Sequence, residues 1–199
     1  MKKTRPPSSE RKKPRRVASV TVTALIALLL LSNLFIIFHF SEADGVESGE
    51  MSAGVTRFLL EHFYPDYNDL SLAEQETLLG RFHKFVRKAA HFCEFALLGF
   101  LTTWLLLWVS RRFISMSPWK TWLFPAAFTL LYAISDEVHQ IFTGRGSRIT
   151  DVLIDFSGAL CGILLMQGVA VCIARLRAGK GKAKKSTRRI KTCETPATD

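Results

Sequence analysis

The chain is predicted to be an all-α membrane protein, a bundle of four transmembrane helices with basic cytoplasmic tails and an extracytoplasmic amphipathic segment. Three observations predict this fold class. Four apolar stretches have the length of about 20 residues that a helix needs to cross a bilayer. Lys and Arg are concentrated in both tails and in one short loop. The one long connection has the residue spacing of amphipathic helices.

The first apolar stretch, residues 17–40, is predicted to be transmembrane helix 1. It contains no Asp, Glu, Lys or Arg, and it follows a basic tail, residues 1–16, that holds eight Lys and Arg against one acid. A basic segment before an apolar run also fits a cleaved signal peptide. This run is longer than the apolar part of most signal peptides and no small-residue cleavage site follows it, so we expect a retained helix.

Residues 41–88 form the long connection, which we place outside the cytoplasm. Its first part is acidic. Val55, Phe58 and Leu59 begin an i, i+3, i+4 pattern that predicts an amphipathic helix on the membrane surface. Further along, Ser71 and Glu74 have the spacing of a capping box, which predicts that another helix starts there.

The region 89–175 contains three further predicted spans, at residues 89–109, 119–142 and 152–174. The loop 110–120 and the tail 176–199 are rich in Lys and Arg, whereas the start of the long connection, residues 41–50, contains neither. The turn 143–150 lies at the same end of the predicted bundle as this connection. The positive-inside rule then predicts a multi-pass plasma-membrane protein with both termini in the cytoplasm. Basic tails also occur in nucleic-acid-binding proteins. Because apolar segments directly adjoin these tails, we expect the bilayer and its anionic lipid headgroups as partners, and no nucleic acid.

This topology brings the polar residues of the last three spans to one end of the bundle. They are Arg87, Lys88, His91 and Glu94 on the second span, Asp136, Glu137, His139 and Gln140 on the third, Asp151 and Asp155 on the fourth, and Arg145 and Arg148 in the turn. A charge at the centre of a bilayer costs about 2.5–3.5 kcal/mol on insertion scales, so such residues face the bundle interior. Helical spacing puts Asp136, His139 and Gln140 on one face. The sequence predicts one polar pocket, open to the outside.

Two segments, "RKAAHFCEFALLG" (87–99) and "SDEVHQIFTGRGSRITDVLIDFSGALCG" (135–162), resemble the VanZ-like family of bacterial membrane proteins. The resemblance implies that the family's polar signature falls on Lys88, His91, Glu94, Asp136, Glu137, His139, Gln140, Arg145, Asp151, Asp155 and Gly158. Phe95 departs from the family pattern, which often has Tyr there. The family is named after an accessory protein of glycopeptide-resistance clusters, so the resemblance implies an envelope protein that contributes to glycopeptide (teicoplanin-type) resistance.

The candidate site residues fall into three groups by the chemistry of their side chains. Acid–base candidates are His91, Glu94, Asp136, Glu137, His139, Asp151 and Asp155. Candidates for binding a phosphate or carboxylate ligand are Arg87, Lys88, Gln140, Arg145 and Arg148. Gly158 and Gly162 form a small-residue stripe that lets a neighbouring helix approach. Zinc and manganese accept such nitrogen and oxygen donors, but no spacing is diagnostic, so the sequence assigns neither a metal nor another cofactor.

Three functions remain open from the sequence. The first is binding of an anionic headgroup, a cell-wall precursor or a glycopeptide-related ligand. The second is an enzyme that acts on a lipid-linked phosphate or cell-wall precursor by acid–base or metal-assisted chemistry. The third is a purely structural polar plug that sets helix packing. Proton-coupled transport is disfavoured, because no ionisable residues continue to the inner side of the second and fourth spans.

Overall fold

The computed structural model describes residues 12–42, 47–142 and 148–193, with side-chain surroundings given for 17–41, 53–142 and 148–179. This part of the chain has no strand, which confirms the all-α prediction. The helices are α1 (Lys12–Glu42), α2 (Glu47–Phe63), α3 (Leu72–Arg112), α4 (Lys120–Phe142) and α5 (Ile149–Cys193), and a 3₁₀ helix (Tyr67–Asp69) follows α2.

The predicted count of four membrane spans is wrong. Within the described residues, three helices are long and apolar enough to cross a membrane, over Val17–Ser41, Leu72–Arg112 and Ile149–Gly179. The predicted span that is not among these three is α4, although its 23 residues are long enough to cross a bilayer. Its last turns carry Asp136, Glu137, His139 and Gln140, and these polar residues lower its mean hydropathy.

The α3 helix begins where the capping-box spacing predicts a helix start. The backbone N–H and the hydroxyl of Ser71 both donate to Glu74 Oε2, at 2.9 and 2.7 Å. Such a bond satisfies a donor that has no partner within the helix. From this point α3 continues without a break to Arg112, so residues 72–88 and the second predicted span form one helix of 41 residues.

The α2 helix packs on the first half of α3 after a sharp reversal of the chain. Asp66 makes this reversal in the left-handed region, at φ 60°, a conformation that Asp tolerates better than most residues. A cavity of about 320 Å³ lies between the two helices. Its lining is almost wholly apolar, from Thr56, Leu59, Leu60, Phe63, Tyr64, Phe82, Phe85 and Val86.

One apolar core joins α1, α3, α4 and α5. Its fully buried members are Ile37, Phe95, Leu98, Ala133 and Ala159. The outer surfaces of these helices expose many large apolar side chains, among them Leu31, Phe35, Leu131, Leu153 and Leu165. An exposed apolar surface of this extent marks contact with lipid.

Hydrogen bonds from side chains to neighbouring helices show which helix ends lie together. The Trp108 indole donates to Thr23 Oγ1 at 3.1 Å, which joins the end of α3 to the first half of α1. The Tyr132 hydroxyl donates to the Leu34 carbonyl at 2.9 Å. Gln167 Nε2 donates to the Thr121 carbonyl at 3.0 Å, which joins α5 to the start of α4. The start of α1 and the end of α3 therefore lie at one end of the bundle, as do the start of α4 and the later part of α5.

The backbones of α3 and α5 approach each other closely at three glycines. A Cβ atom at Gly158 would lie 2.2 Å from the Phe92 carbonyl oxygen, and one at Gly162 would lie 1.8 Å from that of Ala96. Gly99 of α3 has the reciprocal contact, at 2.2 Å from the Ala159 carbonyl oxygen. No side chain fits at these positions unless the two helices separate.

We expect Gly162→Ala to destabilise the protein by about 1–3 kcal/mol, because the added methyl group forces the α3 and α5 backbones apart. The matched control is Gly168→Ala in the same helix, where a Cβ meets nothing within 4 Å. The control should be neutral or gain up to about 1 kcal/mol from helix propensity. Thermal unfolding of both variants in detergent measures the difference. Equal melting temperatures for the two would contradict this account of the helix contact.

Candidate functional site

Three side chains, each with a nitrogen or oxygen atom able to bind a metal ion, meet at one point between three helices. They are His91 of α3, Asp136 of α4 and Asp155 of α5, and one nitrogen or oxygen atom from each lies within 4.8 Å of the other two. Asp136 is 6% exposed and Asp155 is 2% exposed. His91 is partly buried. We call these three residues the donor cluster.

The close approach of α3 and α5 explains the position of two of these residues. Gly158 lies against the Phe92 carbonyl, and His91 is the residue before Phe92. Asp155 lies one helical turn before Gly158, on the same side of α5. A contact that brings Phe92 to Gly158 therefore also brings the His91 imidazole to the Asp155 carboxylate.

Among the described residues, four further carboxylates lie near Asp155. The Asp155 carboxylate interacts unfavourably with those of Asp136, Glu137, Asp151 and Glu94. Glu94 Oε2 lies 3.9 Å from His91 Nδ1, which is beyond hydrogen-bond distance. This carboxylate oxygen is buried and has no hydrogen-bond partner in the described part of the chain.

Two hydrogen bonds hold the end of α4. Gln140 Nε2 donates to Asp136 Oδ2 at 2.9 Å, which orients a carboxylate of the donor cluster. The backbone N–H of Arg148 donates to Glu137 Oε2 at 3.1 Å. Glu137, which is 4% exposed, thus connects the end of α4 to the segment just before α5.

The basic residues predicted to bind an anion have different surroundings. Lys88 Nζ forms an ion pair with Asp151 Oδ1, between α3 and α5. Arg87 is half-buried and Arg148 is exposed. Arg145 lies outside the described residues. Lys88 and Asp151 therefore neutralise each other at the edge of the donor cluster.

His139 lies apart from the donor cluster. Its ring stacks on Phe38 of α1, with the ring centroids 4.9 Å apart and the planes at 27°. Its Nε2 is buried without a hydrogen-bond partner among the described residues. Helical spacing placed His139 on the same face as Asp136, but the ring turns toward α1 whereas Asp136 meets α3 and α5. The cavity between α2 and α3 has no lining residue in common with the predicted polar pocket.

Two residues near the site were not singled out from the sequence. Tyr132 lies one turn before Asp136 and carries a hydroxyl that bonds to α1. Its ring centroid is 6.1 Å from that of Phe95, the residue that departs from the family pattern and is fully buried in the apolar core. Gly99 completes the close contact with α5. A glycine inside an apolar span was the signal available for it.

Reversing the charge of Lys88 or Asp151 alone should lower the melting temperature, since each change places two like charges together. The double exchange, Lys88→Asp with Asp151→Lys, should restore most of the loss. We expect a coupling of about 1 kcal/mol or less, because both side chains are partly exposed. Thermal unfolding of the four proteins in detergent gives this coupling, and a double exchange less stable than both single variants would contradict the ion pair.

Comparison with known proteins identifies the family but adds no close relative. A family model described as VanZ/LLP1 matches residues 24–172, a range that begins within α1, ends within α5 and contains the whole donor cluster. Searches of the curated proteins and of the solved structures gave no match. The match extends over most of the chain and confirms the resemblance seen in the sequence motifs. This chain belongs to the VanZ/LLP1 family.

Proposed function

We propose that this protein is a bacterial envelope protein that binds an anionic cell-wall component at the donor-cluster end of its bundle and contributes to glycopeptide resistance. The ligand class is a phosphate- or carboxylate-bearing headgroup, of a lipid-linked precursor or a related glycopeptide target. The observation that carries the proposal is a polar end of an apolar bundle, where His91, Asp136 and Asp155 converge within 4.8 Å. Two arginines belong to the same end: Arg148 bonds to Glu137 through its backbone, and Arg87 precedes the paired Lys88. Leu and Gly pack such bundles at lower insertion cost, which favours a role beyond packing.

The distribution of charge supports an extracytoplasmic position for the donor cluster. Arg111, Arg112 and Lys120 lie at the opposite end of the bundle, where α3 ends and α4 begins. Arg112 also lies over the Trp108 ring, 5.4 Å from its centroid, as expected of an aromatic belt beside basic residues. Under the positive-inside rule this basic end faces the cytoplasm, and the donor cluster then faces outward.

Arg87 and Arg148 are the residues we assign to the anion. Because Lys88 is already paired with Asp151, these two side chains are the available cations among the described candidates. Arg donates two parallel hydrogen bonds to phosphate or carboxylate. The acidic donor cluster itself repels an anion, so the ligand binds at its edge.

Expression of the wild-type chain in a susceptible bacterium should raise the teicoplanin concentration needed to stop growth. Arg148→Gln should abolish most of this increase, because a charge-assisted hydrogen bond contributes about 1.5–3 kcal/mol to binding. The matched control is Arg111→Gln at the basic end, which should retain the wild-type value. Membrane content of each protein is measured in parallel. No change in susceptibility on expression of the wild type would contradict the proposal.

A second candidate function is catalysis, and the specific observation behind it is an imidazole beside two buried carboxylates. His91 and Asp136 are residue types that act as general acids and bases, and their side-chain donor atoms lie within 4.8 Å of each other. The substrate class is a lipid-linked diphosphate, from which water releases inorganic phosphate.

In this case the purified protein should release phosphate from a polyprenyl diphosphate. Asp136→Asn should slow that release by about 10²–10⁴-fold, the usual contribution of a general acid or base. Asp69→Asn, an exposed position between α2 and α3, is the matched control and should retain the wild-type rate. An absence of phosphate release by the wild type would favour binding without catalysis.

A further inference from the structure

We propose that His91, Asp136 and Asp155 bind one divalent transition-metal ion, Zn²⁺ or Mn²⁺, at the junction of α3, α4 and α5. The proposal concerns an ion held by the protein itself. It does not depend on which anionic ligand the protein binds or on whether it is an enzyme.

The spacing of the donor atoms suits a single ion. Two atoms bound to one Zn²⁺ ion lie at most two bond lengths apart, about 4–4.4 Å for bonds of roughly 2.0–2.2 Å. The three donor atoms lie within 4.8 Å of one another. They come from three helices that glycine contacts and an apolar core already hold together, so small side-chain rotations suffice to close the site.

Asp155 supplies a second, independent observation. This side chain is 98% buried, since its exposed fraction is 2%. Its neighbours include the carboxylates of Asp136, Glu137 and Glu94. A buried carboxylate among other carboxylates is unfavourable in its ionised form. A divalent cation at the donor cluster removes this cost and converts the repulsion into ligand bonds.

Two further residues support the site, one as a fourth ligand and one by orienting a ligand. The buried oxygen of Glu94 without a hydrogen-bond partner lies 3.9 Å from His91 Nδ1 and is the candidate for a fourth ligand. Gln140 Nε2 donates to Asp136 Oδ2 and so orients this carboxylate, the arrangement that supports metal ligands in many sites. One imidazole with two or three carboxylates suits Zn²⁺ and Mn²⁺, whereas a dedicated Ca²⁺ cage takes about six to eight oxygen ligands.

The experiment uses the full chain purified in detergent, stripped with a chelator and passed through gel filtration. ZnCl₂ or MnCl₂ is added, unbound ion is removed, and bound metal per chain is measured by mass spectrometry. We expect close to one ion per chain. The melting temperature should rise by about 5–10 °C at an ion concentration near 100 times Kd.

Two ligand variants and one matched control locate the ion. Asp155→Asn and His91→Gln should each weaken binding by at least about 100-fold, beyond the loss typical of residues that only support a ligand. Asp155→Asn keeps the shape of the side chain and removes a carboxylate that lies among others, so the metal-free variant should melt no lower than the wild type, and loss of binding is separable from loss of folding. Asp151→Asn removes a carboxylate of the same helix that is paired with Lys88, and it should retain the ion.

Three results would overturn the proposal. The first is a wild-type chain that binds neither ion. The second is a bound ion that both ligand variants retain, which would place it elsewhere, for example on cysteine. The third is equal loss of the ion in Asp151→Asn and Asp155→Asn, which would indicate diffuse attraction by acidic groups. Metal binding without a change in teicoplanin susceptibility would refute the proposed function alone.

Discussion

The direct contact between the backbones of α3 and α5 is the constraint on which the rest of the structure depends. Gly99, Gly158 and Gly162 leave no space for a side chain, so each helix lies against carbonyl groups of the other. In a bilayer the hydrophobic effect does not draw helices together, since lipid tails are as apolar as Leu. Close van der Waals packing at small residues therefore supplies much of the association, and these glycines permit it.

The polar residues are arranged around this contact. His91 and Asp155 lie beside the residues that touch at Gly158, and α4 adds Asp136 from the third side. Such a cluster is unfavourable to build in an apolar bundle unless its charges are compensated. Compensation is visible at its edge, where Lys88 meets Asp151. At its centre the described residues bring carboxylates together, and this imbalance is the physical reason to look for a ligand of positive charge.

The α4 helix shows why apolar composition and position in the bundle are separate properties. Its inner side buries Asp136, Glu137 and Gln140, whereas Leu131, Ile134 and other apolar residues of α4 are exposed on the outside. Because its polar residues face protein rather than lipid, α4 packs in one core with three helices that each contain a more apolar membrane-length stretch. A count of spans from composition therefore gives three, although four long helices share one core.

The sequence by itself determined the all-α class, the family, the helix start at Ser71 and the identity of the polar residues, because apolar length, capping chemistry and motif spacing are local properties. It did not determine which of these side chains meet. Helical spacing grouped His139 with Asp136, yet the structure sets His139 on Phe38 and Asp136 beside His91 and Asp155. Which side chains meet depends on which helix lies opposite each helix face. Contacts between residues far apart in the chain, such as Phe92 with Gly158, determine that arrangement.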